Sequence, residues 1–288
     1  MRLNNQMKGG KAMEKSKLFK TFIILVLTFV FLYLFLENNQ ATEVTQVSAL
    51  TDVTGYAVYD GRNVYEHYKS ILSEKEKIVY DELKEAYLQF KPSFSTTVEE
   101  IKSEELKRVF SAVILDHPEI FWIDSYSSMG DIFTGNVYTS MVIHLRYTFS
   151  KEEALQIKQQ IESKYSEIIQ GAKRYKSDKK RVKYVHDKLI EISEYTGYTN
   201  EQRDKFQSII SIFETGDTVC AGYSYGFKFI MDNLGIESIA VENINNKDSS
   251  KSHIWNKVKL DGVWYNLDVT WDSQLSKDSN ISYKYYLL

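Results

Sequence analysis

Apolar residues run along this chain in three distinct patterns. The first is continuous: Leu18 to Leu36 is apolar apart from Lys20, and it gives way to a polar stretch from Glu37 to about Thr54. The second has the three- and four-residue step of amphipathic helices. Ser73-Glu74-Lys75-Glu76 has the form of a capping box and predicts a helix to about Phe90, with Ile78, Leu83, Tyr87 and Phe90 on one side and Lys91-Pro92 as its end. Ser103 to Asp116 predicts a second helix with Leu106, Val109, Phe110 and Val113 as its apolar face, ended by Pro118. Ser150-Lys151-Glu152-Glu153 opens a third, expected to stop at Gly171. Ser177 and Asp178 are caps for a fourth, carrying Val182, Val185, Leu189 and Ile192. A fifth follows Cys220, with Tyr223, Phe227, Ile230, Met231 and Leu234 in step and Gly235 as its C-terminal stop. The third pattern alternates as strands do. It covers Ile132 to Phe149, Ser252 to Leu260 and Val263 to Val269. The mixture predicts an α+β fold.

Asp261-Gly262 between the last two strands is a strong hairpin signal, and a two-residue loop sets the register. Leu260 then pairs with Val263, Trp255 with Asp268 and His253 with Thr270. His253 and Asp268 become diagonal neighbours on one face, with backbones roughly 7–8 Å apart, within reach of a long side chain. A slip of one residue would separate them.

Composition narrows the classes. At 288 residues the chain holds one or two domains with sizeable cores. A formal net charge of -3 offers no broad basic footprint for nucleic acid. The single cysteine excludes an internal disulfide and a cysteine-rich zinc site, and His67, His117, His144, His186 and His253 show no metal-ligand spacing. No metal or cofactor is expected. Arg2, Lys8, Lys11, Lys15, Lys17 and Lys20 precede or begin the continuous apolar run, against Glu14 alone. That bias places the N-terminus in the cytoplasm and the bulk of the chain outside. No small-residue cleavage site follows the run, which favours an uncleaved signal anchor over a cleaved signal peptide.

Cys220, His253 and Asp268 carry the candidate chemistry. A thiolate attacks, an imidazole moves the proton, and a carboxylate holds the imidazole's tautomer. Cys220 at a helix start gains from the unpaired N–H groups there, which favour the thiolate and leave its own amide free for an oxyanion. Small Ala221 and Gly222 would let a substrate backbone approach. Each residue alone has a plainer account: a buried thiol, a packed histidine, a cap. Their order and hairpin parity favour the chemical one. His117 and Trp122, in DHPEIFWID, fit a helix-ending turn followed by a buried aromatic strand, and His186 fits a surface or core position on its helix.

The segments VCAGYSYGF, SHIWNKVKLDG and WYNLDVTWD resemble the transglutaminase-like core, a relative of the papain-like cysteine peptidase fold, over roughly Asp178 to the C-terminus. The resemblance implies a cysteine-bearing helix packed on an antiparallel sheet, with Cys220 as nucleophile, His253 as base and Asp268 as orienting acid. Animal transglutaminases follow the cysteine with tryptophan and use an upstream tryptophan N–H at the oxyanion. Here Ala221 follows, and no tryptophan lies between Trp122 and Cys220, so the second oxyanion donor is open. The expected organisation is a basic tail (1–17), a transmembrane anchor (18–36), a stalk (37–54), an α+β N-terminal region (55–175) and a transglutaminase-like domain (176–288). The expected function is an extracytoplasmic, membrane-anchored thiol enzyme acting on peptide or carboxamide bonds through a thioester. Its partners would be a peptide or protein substrate, cell-wall peptide among the candidates, and the membrane, without nucleic acid. The alternative is a non-catalytic binding or scaffold module of the same fold at the cell envelope.

Overall fold

The computed structural model describes residues 56–59, 62–124, 137–139, 142–243, 252–277 and 280–288. The expected tail, anchor and stalk all lie outside these residues. Among the described residues no helix is long and apolar enough to cross a membrane.

The chain opens with a hairpin of β1 (Tyr56–Tyr59) and β2 (Arg62–Tyr65), then a short α1 (His67–Ser70) and α2 (Glu74–Leu88). Ser73 caps α2 as expected, its backbone N–H donating to Glu76 Oε2 at 2.9 Å. The buried face is Val79, Tyr80, Leu83, Ala86 and Tyr87, while Ile78 is 47% exposed, one position off the expected stripe. β3 (Ser93–Ser95), β4 (Glu100–Lys102) and α3 (Ser103–Asp116) follow, then β5 (Val137–Thr139) and β6 (Val142–His144). Within the strand expected over Ile132 to Phe149, β5 and β6 form, with β6 ending at His144; residues 132–136 and 140–141 lie outside the described residues. Ile143 and Leu145 are buried, and Val142, His144 and Arg146 are exposed.

α4 (Lys151–Lys173) begins at the predicted Ser150 cap but does not stop at Gly171. A Cβ there would lie 2.0 Å from the Tyr184 hydroxyl of α5 (Asp178–Glu191), so Gly171 serves close helix packing rather than termination. β7 (Glu194–Tyr195), α6 (Arg203–Phe206), α7 (Ile209–Glu214) and β8 (Asp217–Thr218) lead into α8 (Cys220–Leu234). α8 ends at Gly235 in the left-handed conformation (φ 67°), which only glycine adopts readily.

α8 is the centre of the described structure. Sequence periodicity predicts one apolar stripe, but Ala221 through Asp232 are all buried, polar residues included. A helix enclosed on every side has no need for a polar face. β9 (Ser238–Asn243), β10 (His253–Leu260) and β11 (Val263–Leu267) form an antiparallel sheet in the order β11-β10-β9. Ile254, Asn256, Val258 and Leu260 form the buried side of β10. Asn256 Nδ2 donates to Ser224 O of α8 at 3.0 Å and lies 3.4 Å from Ile239 O of β9, so one amide ties helix and sheet together. One apolar cluster runs from Leu72 to Val269, drawing residues from both sides of position 175.

The hairpin closes as predicted, Leu260 opposite Val263, with Asp261 and Gly262 at φ 50° and 81°. Pairing stops at Asn256↔Leu267, however. The strand expected to reach Val269 ends at Leu267, and Asp268 instead caps a short helix, α9 (Val269–Leu275). His253 therefore has no partner across the hairpin, and the Trp255–Asp268 and His253–Thr270 pairs do not form.

Candidate active site

Cys220 is the first residue of α8, half-buried and unbridged. Its N-cap, Val219, has no side-chain acceptor, so the cap residue leaves the N–H groups of the first turn uncapped. The helix start is held against β8 and α7 by a close approach. A Cβ on Gly222 would sit 1.9 Å from Thr218 Oγ1 and 2.5 Å from Ser211 Oγ, two hydroxyls bonded to each other at 2.6 Å. Ala221 and Gly222 are buried, so their small size serves this packing and not the approach of a substrate backbone.

Although the expected register fails at its end, His253 and Asp268 meet: Nε2 lies 2.6 Å from Oδ2. The carboxylate does two jobs. Oδ1 accepts from the Trp271 N–H at 3.0 Å as the cap of α9, which leaves Oδ2 for the ring. The backbone N–H of Asp268 donates to Tyr285 O at 3.0 Å, and Leu288 exchanges backbone hydrogen bonds with Asn266. The C-terminal residues thus hold the carboxylate in place.

Cys220 is the other group close enough to the His253 ring to act on its charge. With Nε2 on Asp268, Nδ1 is the nitrogen left for sulfur. Burial pulls the ring's pKa down, but the hydrogen bond to Asp268 and the influence of Cys220 outweigh it, pushing it up to about 9. Trp271 lies flat on the ring (centroids 4.8 Å apart, planes 4° apart) and Trp255 is nearly parallel at 6.0 Å. Both indoles limit the rotations open to the imidazole. A thiol, an imidazole and a carboxylate are thereby brought to one region, the residue types that acyl transfer by a thiol uses.

Two of the remaining histidines are structural anchors. His186 is fully buried, its Nδ1 3.0 Å from Asp187 Oδ1 and its Nε2 3.3 Å from Asp272 Oδ2. Asp272 also accepts from Ser282 Oγ and the Tyr285 N–H, so His186 fastens α9 and the C-terminal segment to α5. His117 is 1% exposed, between Glu119 (Nδ1, 2.9 Å) and Glu66 (Nε2, 2.9 Å). Trp122 is buried beside it in sequence, stacked on Phe90 and donating to Tyr87 O. Among the described residues no cluster of histidine, cysteine or carboxylates fits a metal ion. Sequence reading did not single out Trp271, Trp255, Asn256 or Tyr195. The only signal for the first three was their place inside the quoted motifs, and Tyr195 had none.

These features define a thiol–imidazole–carboxylate site on an α+β core. Residues 165–269 match the family described as the transglutaminase-like superfamily, and the chain therefore carries a transglutaminase-like domain. A TGase of known structure is similar at 17% identity over 43% of this chain and 34% of that one, with a TM-score of 0.35. The periplasmic domain of TgpA from Pseudomonas aeruginosa is similar at 13% identity over 47% of this chain and 58% of that one, with a TM-score of 0.29. The same domain bound to ethylmercury gives 14%, 47% and 60%, with a TM-score of 0.28. The chain thus spans about a third of the first structure and about three fifths of the second. No curated protein matches it.

Proposed function

We propose that this protein is a thiol enzyme that cleaves or exchanges peptide or carboxamide bonds through a thioester on Cys220. The observation that carries the reading is the His253 ring held by Asp268 at 2.6 Å, with the Cys220 thiol at the start of α8 among the groups that raise the ring's pKa. Sγ, as thiolate, attacks the carbonyl carbon, and the C=O π pair moves to oxygen. The oxyanion collapses, the C–N bond breaks, and Nδ1–H of His253 protonates the departing nitrogen. An acceptor then loses a proton to Nδ1 and attacks the thioester. The C–S bond breaks and the thiolate returns. Water as acceptor gives a carboxylic acid, as in a peptidase or amidase; a lysine-type amine gives a new amide, as in a cross-linker. Asp268 accepts the hydrogen bond from Nε2–H throughout and does not take its proton.

Mass spectrometry of protein quenched during reaction with a glutamine-containing peptide should find an acyl adduct on Cys220. An intact enzyme that binds the peptide but never carries the adduct would turn the reading into that of a binding module. We further propose that residues 18–36 anchor the chain with its bulk outside the cytoplasm, from the basic residues before that run. Protease added to intact cells should remove the C-terminal region; full protection, with the cytoplasmic controls intact, would reverse the topology.

A further inference from the structure

An oxyanion needs two donors, and the amide of Cys220 supplies one. Trp255 cannot readily supply the other, because its Nε1 donates to Asn266 Oδ1 at 3.2 Å. Tyr223 is buried with its hydroxyl on Ser273 Oγ at 2.7 Å, and Tyr225 is buried against Glu242. Tyr195 differs from these. β7 pairs with β8 in parallel, Tyr195 opposite Thr218, two residues before the nucleophile. The side chain is 43% exposed, and among the described residues its hydroxyl has no hydrogen-bond partner. An open cavity of about 910 Å³ lies against Ser193, Glu194 and Tyr195 on one side and Ser273, Gln274 and Lys277 on the other. It does not include Cys220 or His253, and Tyr195 is the lining residue that links it to the nucleophile. Burial raises the Tyr195 phenol, and the next influence on it is the charge of Cys220. The register sets Tyr195 beside the segment that leads into Cys220, and its free phenol faces the open cavity. An oxyanion donor must lie about 3 Å from the oxygen of the attacked carbonyl and not from the nucleophile, so it need not touch sulfur.

We propose that the Tyr195 hydroxyl is the second oxyanion donor, standing where animal transglutaminases use an indole N–H. The assignment rests on the acyl-transfer reading above. When Sγ attacks and the carbonyl π pair moves to oxygen, the phenol O–H and the Cys220 N–H both donate to that oxygen. Neither proton is transferred, and both bonds slacken when the thioester carbonyl re-forms.

The test compares two reagents on the full chain. Iodoacetamide alkylates Sγ by displacing iodide from a saturated carbon, and no oxyanion forms. p-Nitrophenyl acetate acetylates Sγ through an oxyanion and releases p-nitrophenolate. Tyr195→Phe should leave alkylation of Cys220 within about twofold and slow its acetylation by roughly 10–100-fold, the scale of losing one oxyanion donor. Equal acetylation rates would overturn the assignment and leave the reading of Cys220 standing. An equal fall with both reagents would reduce Tyr195 to a structural role and overturn it as well. Loss of acetylation in Trp271→Phe but not in Tyr195→Phe would pass the role to the indole. Wild-type Cys220 that is alkylated but never acetylated would remove the acyl-transfer reading and this assignment together.

Discussion

Cys220→Ala should abolish acyl transfer, and His253→Ala should cost nearly as much, on the order of 10⁴–10⁶ in kcat, because members of such a unit act together and their losses do not add. Asp268→Asn should cost less than either, about 10⁴. The pair Asp268→Asn and Asp268→Ala separates the two jobs of this carboxylate. Asparagine keeps an acceptor for the Trp271 N–H at the start of α9 but turns an amide N–H toward Nε2, so it removes both the charge and the acceptor that hold the ring's tautomer. Alanine loses the cap as well, at about 1 kcal/mol further. The pH profile carries the same information. Protonation of the leaving nitrogen needs His253 in its acid form, so kcat/KM should fall as pH rises through about 9. Without the Asp268 charge that limb should move to lower pH. A variant pair with wild-type rates, or an alkaline limb unmoved in Asp268→Asn, would detach Asp268 from the chemistry.

His117→Gln should lower stability by about 3–5 kcal/mol with little direct effect on the site chemistry, read as a shift in the denaturant midpoint. Removing the ring's charge leaves two buried carboxylates, Glu66 and Glu119, without the cation between them, while Lys84 and Lys69 still pair with Glu66. Burial alone would lower the His117 pKa, but the Glu119 charge and the bonds to both carboxylates push it up to about 9. Because the folded value is raised, the stabilisation is complete below the unfolded histidine value of about 6.5 and is lost as pH rises through about 9. His253 titrates in the same window and in the same direction. The wild type should therefore lose stability from neutral pH to pH 9, and His117→Gln should show a shallower loss. An unchanged midpoint in the variant would mean that the cluster is not held as described.

The mutual position of His253 and Asp268 shows how far local information reached. Helix starts at Ser73 and Ser150, the left-handed stop at Gly235 and the Leu260↔Val263 register are decided by residues within a few positions of one another. Such features follow from backbone conformation and capping, and the sequence alone determined them. So did the three residue types of the site and the helix-start position of Cys220. The contact between His253 and Asp268 was expected, but by a different geometry. The chain leaves the sheet at Leu267, and Asp268 reaches the ring as a helix cap whose backbone is held by Tyr285. That exit depends on His186 and Asp272, 86 positions apart, closing on one another. The burial of His117 between Glu66 and Glu119, the place of Gly171 under Tyr184, and the pairing of Tyr195 with Thr218 have the same character. No local pattern encodes them, because their free energy comes from desolvated contacts between distant segments, and these exist only once the central helix has been enclosed.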